Sequence, residues 1–181
     1  MKESPVTTLL DHLLDDIDPG VVSEQGIAEL RAHRDRYQEI DTGLSFGRRL
    51  AQGRLDMIIV EIERRANGGD PSAGGLLARL PEVLSQHNRG GGSPRPVRET
   101  ELPDFIDILG DELDRILPAE KLTRLEELDD ETLAETVNEL QAFERRVSTK
   151  RHEVHRIIDE LQEEIVGRYR SGAASVDDLL R

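Results

Sequence analysis

One pattern is written twice in this chain, and few folds can use it. Asp41, Ser45, Arg48, Gln52 and Asp56 are spaced 4, 3, 4 and 4 apart. About a hundred residues later Glu144, Ser148, Arg151, His155 and Asp159 repeat that spacing with the same Ser, Arg and Asp. On an α-helix, at about 100° per residue, all five positions fall within an arc of roughly 80°. Packing of a hydrophobic core does not generate such a stripe. Fixed polar chemistry on two helices points to one ligand surface built from two halves.

Beside each stripe runs an apolar row. In the first copy Leu30, Tyr37, Leu44, Ala51 and Ile58 are seven apart, with Leu55 and Ile62 continuing a second row. In the second copy the row is Leu133, Leu140, Val147, Val154 and Leu161, with Phe143, Ile158 and Ile165 beside it. A sustained seven-residue period is the signature of a coiled coil. Aligning the stripes also aligns Ile40 with Phe143, Leu44 with Val147, Ala51 with Val154, Leu55 with Ile158 and Ile62 with Ile165. Further along, Glu61 matches Glu164 and Arg65 matches Arg168. The seam is centred roughly 80° around the helix from the stripe, with the same sense in both copies. Parallel packing would turn the stripes to opposite sides. Antiparallel packing relates them by a twofold axis on one side, and only this arrangement makes one platform. The expected fold is therefore all-α: an antiparallel two-helix coiled coil, a helical hairpin with a long connection, plus short flanking helices.

Composition agrees with a narrow seam rather than a thick core. Only 36% of the residues are hydrophobic and 3% aromatic, against 34% charged. The absence of cysteine excludes disulfides and thiolate chemistry. A net charge of −14 argues against general binding to a nucleic-acid backbone, which needs a basic surface. It suits a basic partner, such as a protein that itself binds DNA, although acidity also serves solubility. The stretch from Met1 to Ile17 lacks the basic start and apolar run of a signal peptide. No segment approaches the roughly 18 apolar residues of a membrane span, so no membrane association and a cytoplasmic location are expected.

The chain divides into five parts. Residues 1–22 hold a short helix over 4–17, capped by Ser4 or Thr7, with Leu9, Leu10, Leu13, Leu14 and Ile17 on its apolar face. It is either a docking element or a piece packed back on the body. Residues 23–67 form the first coiled-coil helix, from near Ser23 to about Asn67, with Gly26 and Ile27 in its opening turns. Residues 68–118 form the connection. It contains a short helix bearing Leu76, Leu77, Leu80 and Leu84, a Gly/Pro-rich flexible linker at 87–96, and a helix opened by Pro103. That helix bears Phe105, Ile106, Ile108, Leu109, Leu113, Ile116 and Leu117, and Pro118 ends or kinks it. Residues 119–170 carry a helical piece from Ala119 to Leu128, an N-cap at Asp129 or Asp130, and the second coiled-coil helix from about Glu131 to Arg170. Ser171-Gly172 stops it, and 171–181 is a small acidic and apolar tail. Gly43, Gly47 and Gly53 each cost a helix up to about 1 kcal/mol relative to Ala. They are either chance or room for something bulky close to the backbone.

The stripe has a chemical inventory. Carboxylates only accept hydrogen bonds, so they suit a ligand with paired N–H donors, as on the Watson–Crick edge of guanine. Arginine suits guanine O6 and N7, a phosphate, or stacking on a flat ring. Ser and Gln or His suit phosphate or ribose oxygens. Together they describe a guanine nucleotide, and a twofold platform describes a twofold nucleotide. The plainer alternative is a solvated face braced by neighbours such as Arg48, Gln52 and Asp56. Two copies at one spacing weigh against it. No nucleophile–base pairing is legible, so an enzyme is not expected. His152 and His155 are one residue too close for the metalloprotease helix motif, and no metal is expected.

The doubled stripe resembles the RsiG family, the cyclic-di-GMP-dependent anti-sigma factors of sporulating actinobacteria. The family pattern is Glu-x3-Ser-x2-Arg-x3-Gln-x3-Asp on both helices of an antiparallel coiled coil. Ser45, Arg48, Gln52 and Asp56 match in the first copy, and Glu144, Ser148, Arg151 and Asp159 in the second. Asp41 stands in place of Glu, one methylene shorter, and His155 stands in place of Gln. The resemblance implies that these ten positions bind cyclic-di-GMP, two molecules as a dimer. It also implies a bridge to a WhiG-type sigma factor, which is thereby kept from RNA polymerase. Two other readings stand beside it: a ligand-free coiled-coil adaptor, and a nucleotide-binding protein with a different partner. If the platform is real, Asp41 and His155 should break its symmetry.

Overall fold

The computed structural model describes residues 5–14, 24–68 and 103–172. Two long helices dominate: α2, Ile27–Ala66, and α5, Asp130–Ser171. Three shorter ones are α1, Pro5–His12, α3, Ile106–Ile116, and α4, Ala119–Leu122, with a 3-10 turn at Leu125–Glu127. The expected helix at 72–85 and the linker at 87–96 lie outside the described residues, as do Ser4, Ile17 and the tail. Among the described residues, no helix is long and apolar enough to cross a membrane.

The long helices run antiparallel. Arg34 meets Gln162, Gln52 meets Glu144 and Arg65 meets Asp130, so position rises on α2 as it falls on α5. The seven-spaced row of each helix is fully buried, from Leu30 to Ile58 and from Leu133 to Leu161. Each fully buried Leu or Ile contributes about 1.5–3 kcal/mol. Phe143 and Ile165 are buried with them, while Leu55 and Ile158 are half-buried. Ile62 departs from the expected seam, at 39% exposed where its repeat mate Ile165 is 4% exposed.

Local chemistry sets the helix ends. The first long helix starts at Ile27, later than expected at Ser23. Gly26 sits in extended backbone as its N-cap, and the Glu29 carboxylate reaches back to accept from the Gly26 N–H at 2.9 Å. At the other end Gly68 takes φ 65°, a left-handed conformation that glycine adopts without strain. The second begins after Asp129, whose side chain accepts from the Thr132 N–H at 2.7 Å. Gly172, at φ 76°, closes it. Residues 119–128 are not part of this helix. Leu117 turns extended and Pro118 caps the separate α4, so the proline ends α3 rather than kinking it.

Two arginines brace the hairpin at twofold-related places. Arg65 bonds Glu61 at 2.7 Å and reaches across to the carbonyls of Leu125 and Leu128, at 3.0 and 2.7 Å, and to Asp130 at 2.6 Å. Arg168 bonds Glu164 at 2.7 Å and donates to the carbonyl of Gln25. Each guanidinium, at the end of one helix, ties down the chain leading into the other.

The short helices lie on the side of the seam away from the stripe. Leu109, Leu113 and Leu117 are buried, and Val6 and Leu10 of α1 are buried with them, so α1 is packed back on the body. The glycines explain how α3 approaches α2. A Cβ on Gly43 would lie 2.5 Å from the Phe105 ring, and one on Gly47 would lie 2.7 Å from Leu109. Interleaved with the stripe in sequence, these two point about 200° away from it. The bulky neighbour is thus a helix of the chain itself. Gly53 has open space around it and no such role. In the second copy the positions of Gly43 and Gly47 are Arg146 and Lys150. Arg146 bonds Thr7 at 3.1 Å and lies 3.8 Å from the buried Glu112.

Candidate ligand-binding platform

The two stripes meet along one side of the hairpin. Asp41 of α2 accepts from Arg151 Nε of α5 at 3.0 Å, and His155 Nε2 lies 3.0 Å from the same Oδ1. Glu144 of α5 accepts from Gln52 of α2 at 3.3 Å, with Arg48 at 3.7 Å. Asp41 and Glu144 are repeat mates, as are Arg48 and Arg151, and Gln52 and His155. The contacts therefore obey the twofold axis: each copy's first carboxylate is held by the other copy's arginine and by its fourth stripe residue. This is the antiparallel platform that the sequence pattern required.

The halves match in topology but not in detail. Glu144 also accepts from Ser148 of its own helix at 2.9 Å, whereas Asp41 is held by Arg151 and the imidazole. Arg151 bonds through Nε, while the Nε of Arg48 is buried without a hydrogen-bond partner. One half thus keeps an unused donor next to its carboxylate. A buried N–H without an acceptor is costly, so this guanidinium has capacity for another acceptor.

The remaining stripe residues flank these clusters. Ser45 and Asp56 are half-buried, and Asp159 stands exposed at the far edge. Arg48, a candidate brace for Gln52 and Asp56 within its own helix, lies 3.7 Å from Glu144 across the seam. His152 and His155 do not converge: His152 Nδ1 bonds the Ser148 carbonyl at 2.7 Å, and His155 faces Asp41. Among the described residues no group of three or more His, Asp and Glu is arranged to hold a metal ion.

Chemically, the platform is a row of carboxylates and guanidiniums that neutralise each other across a helix seam. A ligand offering both paired N–H donors and acceptor oxygens can take over these contacts without leaving a hydrogen-bonding group unsatisfied.

A model of the RsiG-like family matches residues 18–84 and 119–181, which include both stripes. The chain belongs to the RsiG-like family. Membership points to a regulatory, anti-sigma role. The matched stretches contain both long helices and both bracing arginines, while α1 and α3 lie outside them. Among curated proteins, none matches the chain.

Reasoning from sequence missed two parts of this region. The contribution of α3 was signalled by Gly43 and Gly47, whose direction on the helix, opposite the stripe, was there to be measured. The Arg65 and Arg168 clamps were visible only as repeat matches, since their acceptors are backbone carbonyls that every sequence has.

Proposed function

We propose that this chain is an anti-sigma factor that binds a dimer of cyclic-di-GMP on the twofold platform and thereby holds a WhiG-type sigma factor away from RNA polymerase. One observation carries this reading: Asp41, Arg48, Gln52, Glu144, Arg151 and His155 pair across an antiparallel seam in two twofold-related clusters, each with a carboxylate, an arginine and an amide or imidazole. A twofold ligand needs a twofold site.

In this reading Asp41 and Glu144 accept from guanine N–H groups, while Arg48 and Arg151 turn to guanine O6 and N7 or to phosphate. Each carboxylate exchanges a guanidinium for paired neutral N–H donors, and an arginine that turns to phosphate keeps a charged partner, so every group stays hydrogen-bonded. Ser45, Ser148, Gln52 and His155 complete the contacts to phosphate and ribose. The bound nucleotides and the acidic helix surface then present a combined face to the basic regions of the sigma factor. When the nucleotide level falls, that face is lost and the sigma factor is released.

The test is calorimetric titration with cyclic-di-GMP, for the chain alone and with the sigma factor. Saturable binding that is lost in Arg48→Ala and Arg151→Ala supports the proposal. No binding under either condition, or binding indifferent to both substitutions, returns the chain to a ligand-free adaptor. Nucleotide binding without a sigma complex would mean a different partner.

A further inference from the structure

The two halves of the platform share one topology at the centre, and its two ends differ more sharply. Beyond Asp56 on α2, Ile59 continues the stripe direction and Ile62 flanks it from the second seam row, 42% and 39% exposed. The antiparallel register brings Val137 of α5 opposite Ile59. The repeat mates of Ile59 and Val137 are Gln162 and Arg34, and at that end Arg34 donates to Gln162 at 3.4 Å. One end of the platform is therefore apolar, and the other is a polar pair.

Side-chain size also differs between the two ends. Ile62 and Ile165 are repeat mates, yet Ile165 is buried. Next to Ile165 stand Arg31 and Tyr169, the guanidinium 5.5 Å from the ring centroid. The repeat mates of those two are Ala134 and Ala66, both exposed. Two small alanines stand at one end where the other end has an arginine stacked on a tyrosine. Asp56 and the exposed Glu63 border this apolar patch on the platform side.

We propose that Ile59, Ile62 and Val137 form a docking patch for one helix of the sigma factor, and that this patch fixes the partner's orientation on an otherwise twofold platform. The inference rests on the functional reading above and deepens it. The patch continues the platform on the same face, so a protein lying over the ligand reaches it directly. Its acidic border on a chain of net charge −14 selects an apolar side chain set between basic residues. The half-sites differ only in detail, so a patch present at one end alone adds the larger distinction between the two ways an asymmetric partner could sit.

The full-length double substitution Ile59→Gln with Ile62→Gln tests the patch, since glutamine is a good helix former and already stands at Gln162. Sigma-factor affinity in the presence of cyclic-di-GMP should fall about tenfold or more, as expected for truncating apolar anchors, with thermal melting and nucleotide binding unchanged. Wild-type affinity in the double variant would overturn the patch while leaving the platform reading intact. A wild-type protein that forms no nucleotide-dependent sigma complex would overturn both. A lowered melting temperature with unchanged sigma affinity would mean that the patch is covered within this chain. Loss of self-association would mean that a second copy covers it; either result overturns the proposal. Because the chain has no cysteine, Ala66→Cys, at an exposed position beside the patch, and Gln162→Cys at the other end can each carry a benzophenone label without altering the patch. The two should crosslink to different sigma peptides, and the same peptides from both ends would refute a single orientation.

Discussion

His155 Nε2 lies 3.0 Å from Asp41 Oδ1, so the two residues that depart from the repeated pattern touch each other. The shorter carboxylate of Asp41 faces an imidazole where the other half pairs Glu144 with Gln52. The departures are thus a matched pair within one half-site rather than two separate defects. The expected break in symmetry lies here.

A double-mutant cycle on this pair should give a measurable coupling. Asp41→Glu and His155→Gln together restore the family pattern. For a contact this exposed, a coupling of about 0.5–1 kcal/mol is expected, because solvent screens it. Urea denaturation of the four proteins measures it. Strict additivity would mean that the contact has no energetic consequence.

The arginines should matter more for ligand than for folding. Arg48→Ala and Arg151→Ala each remove a charged hydrogen-bonding partner worth about 1.5–3 kcal/mol, so each should weaken cyclic-di-GMP binding by roughly 10- to 100-fold. Both side chains are part-exposed at 30% and 29%, and melting temperature should move little. Equal losses in ligand affinity would agree with two equivalent half-sites.

Three glycines should respond to alanine with different signs. Gly43→Ala drives a Cβ against the rigid Phe105 ring and should destabilise by about 1–3 kcal/mol, overpacking outweighing helix propensity. Gly53→Ala meets nothing and should stabilise by up to about 1 kcal/mol. Gly47→Ala should fall between, because the Leu109 methyl it meets can rotate away. Thermal unfolding monitored by circular dichroism gives the order.

Glu61 should set part of the acid limb of stability. It is only 5% exposed and bonds Arg64 and Arg65, each at 2.7 Å. The Arg64 hydrogen bond lowers its pKa, burial opposes this, and Arg65 lowers it further, for a net downward shift. A carboxyl lowered on folding stabilises the protein above its unfolded pKa, and that stability is lost as pH falls through the lowered value. Glu61→Gln should therefore cost about 2 kcal/mol at neutral pH, the worth of charged hydrogen bonds. It should also flatten the stability profile on the acid side. An unchanged acid limb would exclude this role.

Much of the architecture is legible in the heptad rows, because burial on a helix follows a period that can be counted. Leu30 to Ile58 and Leu133 to Leu161 are buried as that period requires. The antiparallel sense was legible for a different reason: stripe and seam carry the same angular offset in both copies, and only a twofold axis brings such stripes together. Ile62 marks the limit of the method. Its heptad position equals that of Ile165, but Ile62 is 39% exposed and Ile165 4%, and the repeat mates of Arg31 and Tyr169 near Ile165 are the alanines Ala134 and Ala66.

The sequence by itself determined which residues share a helix face and which way the two long helices run, since spacing along a helix is already geometry. Only the tertiary structure decided what each residue touches. It paired Asp41 with His155 and Arg151, left the Nε of Arg48 without a partner, and placed α3 against Gly43 and Gly47. The reason is physical. A helical period places a side chain on a face, but its partner across the seam depends on register, side-chain length and what else docks nearby, none of which is local in the chain.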